Sequence, residues 1–254
     1  MENKLRVYTA ELFYTFCLVV LTGGVVCAAK VPVATGQPRF DMWAIALADG
    51  CALAVLLTLS TRISEGCLNP AITLMLWVCR RLDGWQTAAL IAVQLAGSLL
   101  AGLALRFIFP EPSLLQSRLG TPHLGAYLLA DGEVITWTSL FTGIGVEAFA
   151  TFVLTLVIFA TLLDRTAPRL GGLYAGLTQV VLTLAAYYLT GGVANPARWF
   201  GPALWQQSVE PLKATAPFAD HPVYWVGPIL GALLGGLLYT SVISPARKPA
   251  GAGS

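Results

Sequence analysis

The chain has 254 residues, 56% of them hydrophobic and only 11% charged, where a soluble domain carries about 25% charged residues. That composition excludes an ordinary soluble fold. A net charge of +2 lacks the basic excess that a nucleic-acid partner would require.

In chain order, apolar stretches predict spanning helices over 8–29, 41–61, 85–108, 138–163, 172–190 and 223–243. Each approaches the roughly 20 residues that cross a hydrocarbon core about 30 Å thick. The first carries Glu11 and has no small-residue cleavage pattern behind it, so it reads as a retained helix rather than a signal peptide. Two shorter apolar helices, over 70–78 and 196–205, reach only about 14 Å at 1.5 Å per residue. Such half-length pieces persist in a membrane only where protein or a water-filled cavity satisfies their backbone ends. The loops over 109–136 and 206–222 are the longest and are punctuated by proline; they either shape an outer mouth or cover it. The Gly/Ala-rich tail over 247–254 predicts disorder. Lys4, Arg6, Arg62, Arg80 and Arg81 gather on one side, which predicts cytoplasmic termini, an even number of spans and insertion in the cell membrane. Cys17, Cys27, Cys51, Cys67 and Cys79 lie in or beside apolar segments and do not form a disulfide framework; they read as small buried hydrophobes, with Cys67, beside a motif, the exception.

The chain repeats itself. Ala-Glu-Leu-Phe at Ala10–Phe13 precedes Asn-Pro-Ala at Asn69, Pro70 and Ala71. Val-Glu-Ala-Phe at Val146–Phe149 precedes a second Asn-Pro-Ala at Asn195, Pro196 and Ala197. Three spans per half turn the second half upside down. The predicted organisation is a first repeat over 1–110, a connecting loop over 111–137, a second repeat over 138–244 and a tail over 245–254. Inverted repeats place the working site at the midplane, on broken helices. Asn is a favoured N-cap and Pro a favoured first helical residue, so each motif marks a helix start. Two helix starts meeting in mid-membrane each present roughly half a positive charge. The Asn amides are predicted donors to water or hydroxyl oxygens, and the carbonyls of Gly66, Cys67, Gly191 and Val193 predicted acceptors. This layout passes a neutral polar molecule and disfavours protons and cations.

These segments, together with Ser64–Thr73, Gln94-Leu-Ala-Gly, Thr190–Pro202 and Tyr224-Trp-Val-Gly-Pro, resemble the aquaporin, or major intrinsic protein, family across nearly the whole chain. The resemblance implies an all-α membrane protein: six transmembrane helices and two re-entrant half-helices in an inverted-repeat hourglass. It also implies a homotetramer with one pore per subunit. Asn69 and Asn195 are then the mid-pore donors, Arg198 the outer cation, and Glu11 and Glu147 the braces of the re-entrant loops. The family's four constriction positions fall on Asp49, Thr183, Gly192 and Arg198. Water-selective members usually have Phe and His at the first two, and glycerol channels an aromatic wedge; this chain has neither. Asp49 is expected to face the pore and neutralise Arg198, directly or through water, or else to pack sideways. Replacing Phe and His is expected to widen the passage toward solutes such as boric, silicic or arsenous acid, glycerol or urea. Trp199, Ala203, Tyr224 and Trp225 resemble the water-channel pattern instead.

The expected partners are water, small neutral solutes and the lipid bilayer. Two other readings fit parts of the pattern: a proton-coupled secondary transporter using Asp49, or a structural membrane-junction protein. His123 and His221 lie in predicted outer loops without a Cys/His cluster, and no nucleophile–base pair appears. No cofactor, metal or enzymatic site is therefore expected.

Overall fold

The computed structural model describes residues 2–31, 41–64, 68–130, 134–163, 170–213 and 215–243. These residues are helical almost throughout; strand-like pairing among them is a single bridge between Ala130 and Val134. The first half contributes α1 (Glu2–Ala29), α2 (Met42–Ser60), α3 (Pro70–Val78) and α4 (Gly84–Ile108). A short α5 (Glu111–Ser117) lies in the connecting loop. The second half contributes α6 (Trp137–Ile158), α7 (Gly171–Ala186), α8 (Pro196–Gln206), the one-turn α9 (Glu210–Lys213) and α10 (His221–Leu238). The tail over 245–254 lies outside the described residues.

Short polar side chains set the helix starts. Asp41 accepts the Ala44 N–H at 3.1 Å. Asp83 with Gln86, and Thr136 with Ser139, close reciprocal capping boxes, satisfying donors that an unpaired first turn would leave open. Five stretches are long and apolar enough to cross a membrane: Lys4–Ala29, Met42–Ser60, Gly84–Ile108, Trp137–Leu163 and His221–Ile243. The expected helix over 172–190 is the exception. It runs only 16 residues, Gly171–Ala186, about 24 Å at 1.5 Å per residue. The chain leaves the helix because the N–H groups of Leu189, Thr190 and Gly191 all turn back onto the Ala186 carbonyl. Gly191 and Gly192 follow with positive φ of 90° and 62°.

The distribution of polarity is inverted relative to a soluble bundle. Phe107 is 81% exposed and Phe149 66%, while Glu11, Gln94, Glu147 and Thr151 are fully buried. Lipid imposes this arrangement: apolar side chains face it without penalty, and ionisable ones must find partners inside.

The packing follows the repeat. α1 lies against α4 and α6 against α10, while α2 and α7 pack on each other. Each half-helix also reaches across to the other half, α3 onto α10 and α8 onto α4. The α8–α4 contact is backbone on backbone. A Cβ at Gly201 would collide with the Ser98 carbonyl, and the Gly201 N–H donates to Ser98 Oγ at 2.8 Å. Ser98 Oγ in turn donates to the Ala197 carbonyl. We expect Gly201→Ala to destabilise the fold by about 1–3 kcal/mol through overpacking, read as a lowered unfolding temperature in detergent.

Candidate functional site

Asn69 and Asn195 cap α3 and α8. Each Oδ1 accepts the N–H two residues on, from Ala71 and Ala197, both at 3.0 Å. Pro70 and Pro196 occupy the first helical turn, where a missing N–H costs nothing. Each Asn then reaches into the other repeat. Asn69 Nδ2 donates to the Ala194 carbonyl at 2.7 Å, and Asn195 Nδ2 to the Leu68 carbonyl at 3.0 Å. An Asn amide has two hydrogens, so each keeps one beside the cavity that both side chains line.

The receiving residues are held in an unusual conformation. Leu68 and Ala194 have φ of 57° and 53°, a left-handed geometry that costs a side-chain-bearing residue about 1–3 kcal/mol. Two buried carboxylates compensate. Glu11 accepts the Leu68 N–H at 3.2 Å, Gln94 Nε2 at 2.7 Å and the Ser60 hydroxyl at 3.0 Å. Glu147 accepts the Ala194 N–H at 2.8 Å, the Val193 N–H at 3.1 Å and the Thr190 hydroxyl at 2.6 Å. The repeat seen in sequence is thus a repeat of hydrogen bonds. Gly66 and Cys67 lie outside the described residues.

The Asn pair faces a narrow lumen of about 30 Å³. Apolar side chains form much of its wall: Leu18, Leu53, Ile72, Leu154, Ile158 and Val193. Thr22, Asp49, Gln179 and Arg198 add polar groups to the two Asn. Beyond lies a vestibule of about 340 Å³, walled by Lys30, Gln116, His123, Tyr127, Tyr187 and Gly191 among others. Asp49, Val193 and Arg198 line both spaces, so they form the neck between them.

The expected constriction residues are arranged as follows. Asp49 lines the passage, and no direct ion pair joins it to Arg198 among the described residues, although the two charges interact through space. Asp49 Oδ2 instead accepts the Thr183 hydroxyl at 3.3 Å, and Arg198 Nη1 donates to the Gly120 carbonyl at 2.8 Å. Gly192 does not open the wall. A Cβ there would meet the Leu182 carbonyl and Ala186, and its own carbonyl accepts Gln179 Nε2 at 2.8 Å. Val193 and the buried Arg198 side chain, only 7% exposed, line the neck beside Asp49.

Three contributors have no motif to announce them. Arg118, Leu119 and Gly120 form a consecutive left-handed run, with φ of 49°, 57° and 69°. This run aims the Gly120 carbonyl at Arg198 and the Arg118 carbonyl at Gln206 Nε2, 2.9 Å away. Gly120 must be glycine, since a Cβ would lie 2.6 Å from the Gly23 carbonyl. Asp220, just before α10, accepts the Leu124 N–H at 2.9 Å and so ties the connecting loop over the vestibule. His221 beside it points outward, with Nδ1 2.8 Å from the Phe218 carbonyl. Among the described residues no His/Cys/Asp/Glu cluster suits a metal ion.

Comparison with known proteins agrees with this geometry. The family model described as Major intrinsic protein matches residues 1–239. The chain is 38% identical to probable aquaporin TIP4-2 of Oryza sativa subsp. japonica over 251 residues, covering 98% of this chain and 89% of that one. It is 34% identical to the lens fiber major intrinsic protein of Rattus norvegicus over 206 residues, 80% of this chain and 70% of the relative. The fold matches the X-ray structure of the aquaglyceroporin from Plasmodium falciparum with a TM-score of 0.77, over 95% of this chain and 98% of that one at 20% identity.

Two outcomes follow from the site's supports. Glu147→Leu orphans two backbone N–H groups and a hydroxyl, each costing about 1–3 kcal/mol, so folded yield should collapse; Glu147→Gln, which keeps one acceptor oxygen, should retain folded protein with a lowered unfolding temperature. Burial pushes the Asp220 carboxyl up to about 6 from its ordinary 3.8, against the pull of the Leu124 N–H and Arg118. The folded state therefore holds a proton there that the unfolded chain has already released, and stability contributed at this point falls as pH rises from about 4 to 6. Asp220→Asn keeps an acceptor for Leu124 without the buried charge. Thermal unfolding in detergent at matched pH values should show that segment of the pH dependence flattened.

Proposed function

Because the chain belongs to the major intrinsic protein family, a family of membrane channels rather than enzymes, we propose how this member carries water and small solutes and what it selects. The chain is an integral membrane protein of the aquaporin kind, and its pathway is the lumen between α3 and α8. The observation that carries this reading is the crossed Asn pair, each side chain bonded to the opposite repeat while lining the same cavity.

The two half-helix starts face one file from opposite sides, so their dipoles disfavour a cation or an excess proton. A neutral molecule instead accepts from the free Asn69 and Asn195 hydrogens as it passes. Leu18, Leu53, Ile72, Leu154 and Ile158 offer no competing bonds, which keeps passage fast. At the neck, Arg198 donates, and Asp49 and Thr183 accept. Asp49 lines both the lumen and the vestibule; its Oδ1 is buried without a hydrogen-bond partner among the described residues, and on this reading it becomes an acceptor for a permeant hydroxyl or amide when the side chain turns toward the file. Gly191 and Val193 supply backbone to the vestibule wall.

We therefore read the channel as passing water and small uncharged polar solutes, with boric acid, urea and glycerol the informative cases. A second reading, strict water conduction, is favoured by the narrow lumen of about 30 Å³. The repeats over 1–110 and 138–244 supply one half of the pathway each. The basic end of the bundle faces the cytoplasm, and the apolar outer faces assemble four copies.

Stopped-flow light scattering on reconstituted vesicles, comparing water with the three solutes, tests the proposal. Water flux well above protein-free vesicles is expected. Vesicles no faster than controls would sink the channel reading, and water flux alone would select the strict-water alternative. Asp49→Phe should lower solute flux relative to water by about tenfold, the equivalent of one hydrogen bond to a charged group. Asp49→Asn should have a smaller effect in the same direction. Unchanged ratios in both would remove Asp49 from the selective machinery.

A further inference from the structure

We infer that Gln179 is a further specificity-determining residue of the pore, offering its side-chain carbonyl as an acceptor to a permeant in the lumen. The inference rests on the channel reading above and adds a residue to it.

Chemistry alone orients this side chain. The Gly192 carbonyl can only accept, so the Gln179 atom 2.8 Å from it must be the amide nitrogen. The same nitrogen lies 3.1 Å from Thr183 Oγ1. Thr183 thus accepts from Gln179 and gives its hydrogen to Asp49 Oδ2, 3.3 Å away. Both amide hydrogens of Gln179 are consumed. Its Oε1 is left without a partner among the described residues, on a side chain that lines the lumen.

The repeat shows that this is a departure within the chain itself. Gln179 stands sixteen residues before Asn195, and Leu53 stands sixteen before Asn69. Both line the lumen, one turn deeper than Thr183 and Asp49 respectively. The first repeat meets a permeant there with an inert hydrocarbon, and the second with a carbonyl close to the Asn donors. The Gly192 carbonyl holds the Gln179 amide nitrogen and so fixes where the side-chain oxygen lies.

A solute with several N–H or O–H groups gains more from this acceptor than water does. The test compares urea and water permeability in vesicles carrying wild type, Gln179→Met, Gln179→Leu and Gln179→Glu, normalised to folded protein recovered by gel filtration. The urea-to-water ratio is expected to fall about fivefold in the Met and Leu variants, as the loss of one ordinary hydrogen bond predicts. Gln179→Glu, which keeps an acceptor oxygen in nearly the same volume, should stay within about twofold of wild type. Its carboxyl shares the lumen with Asp49 on α2 and Arg198 on α8, and Glu147 on α6 holds the adjoining Val193–Ala194 loop, so wild type is measured at the same pH values. Ratios unchanged in both apolar variants overturn the inference. So does a Glu variant that falls as far as Met, which would mark a packing role. If the apolar variants do not fold, the Glu variant decides by the same criterion. Wild-type vesicles that pass water but no urea would sink the solute part of the proposed function without touching this inference. Water flux then decides it: Gln179→Met should fall below wild type and Gln179→Glu should match it.

Discussion

Everything in this molecule hangs on two backbone N–H groups, those of Leu68 and Ala194, each held by a buried carboxylate. Both residues sit in the left-handed region without being glycine. Only there does the chain turn so that its carbonyl accepts the Asn of the opposite repeat while its next residue starts a helix. Released from Glu11 or Glu147, these residues would relax, and the Asn pair would lose the partners that hold it against the lumen. A carboxylate inside a membrane is expensive and survives only when fully bonded. Each of these accepts three hydrogen bonds, which offsets that cost.

The same constraint explains the glycine contacts. Two half-helices can meet at the midplane only if each is pressed against a span of the other repeat. On the α8 side the approach is close enough that Gly201 and Ser98 touch through backbone. The neck then inherits much of its geometry from rigid elements: Arg198 from α8, Asp49 from α2, Thr183 and Gln179 from α7. Val193 and the Gly120 carbonyl come from loops; Glu147 holds the first by its N–H, and Asp220 and Gln206 pin the second at both ends.

Much of this was legible in the residues because the relevant signals are chemically rare. A Glu inside an apolar span survives in lipid only when bonded, and an Asn-Pro pair opening a nine-residue helix survives only beside protein or a polar cavity. The half-helices start at Pro70 and Pro196, and Glu11 and Glu147 accept the Leu68 and Ala194 N–H groups. What was not legible depends on distance across the bundle. Asp49 and Arg198 are opposite charges on neighbouring wall elements, which suggests an ion pair. Arg198 Nη1 instead donates to a backbone carbonyl on a left-handed turn, and no side-chain pattern announces such a turn. The missing Cβ of Gly192 faces α7, a placement that the residue type does not announce. The end of α7 was overrun for a similar reason: Tyr187–Leu189 are as apolar as the helix before them, and only the Ala186 carbonyl, gathering three N–H groups, stops it.

The inverted repeat duplicates the scaffold but not the wall. Three residues after its Asn, one half carries Ile72 and the other Arg198; sixteen before it, one carries Leu53 and the other Gln179. All four line the lumen. A lining symmetric about the midplane would set equal donors and acceptors on both sides, and its own symmetry would impose two equivalent barriers in series. At these two positions the second repeat presents hydrogen-bonding groups where the first presents hydrocarbon, and Asp49 of the first repeat lines the same neck as Arg198. On the proposed channel reading, a permeant meets both charges together there. The discrimination proposed for this chain then resides in differences between its halves, and the motif they share holds those differences in register.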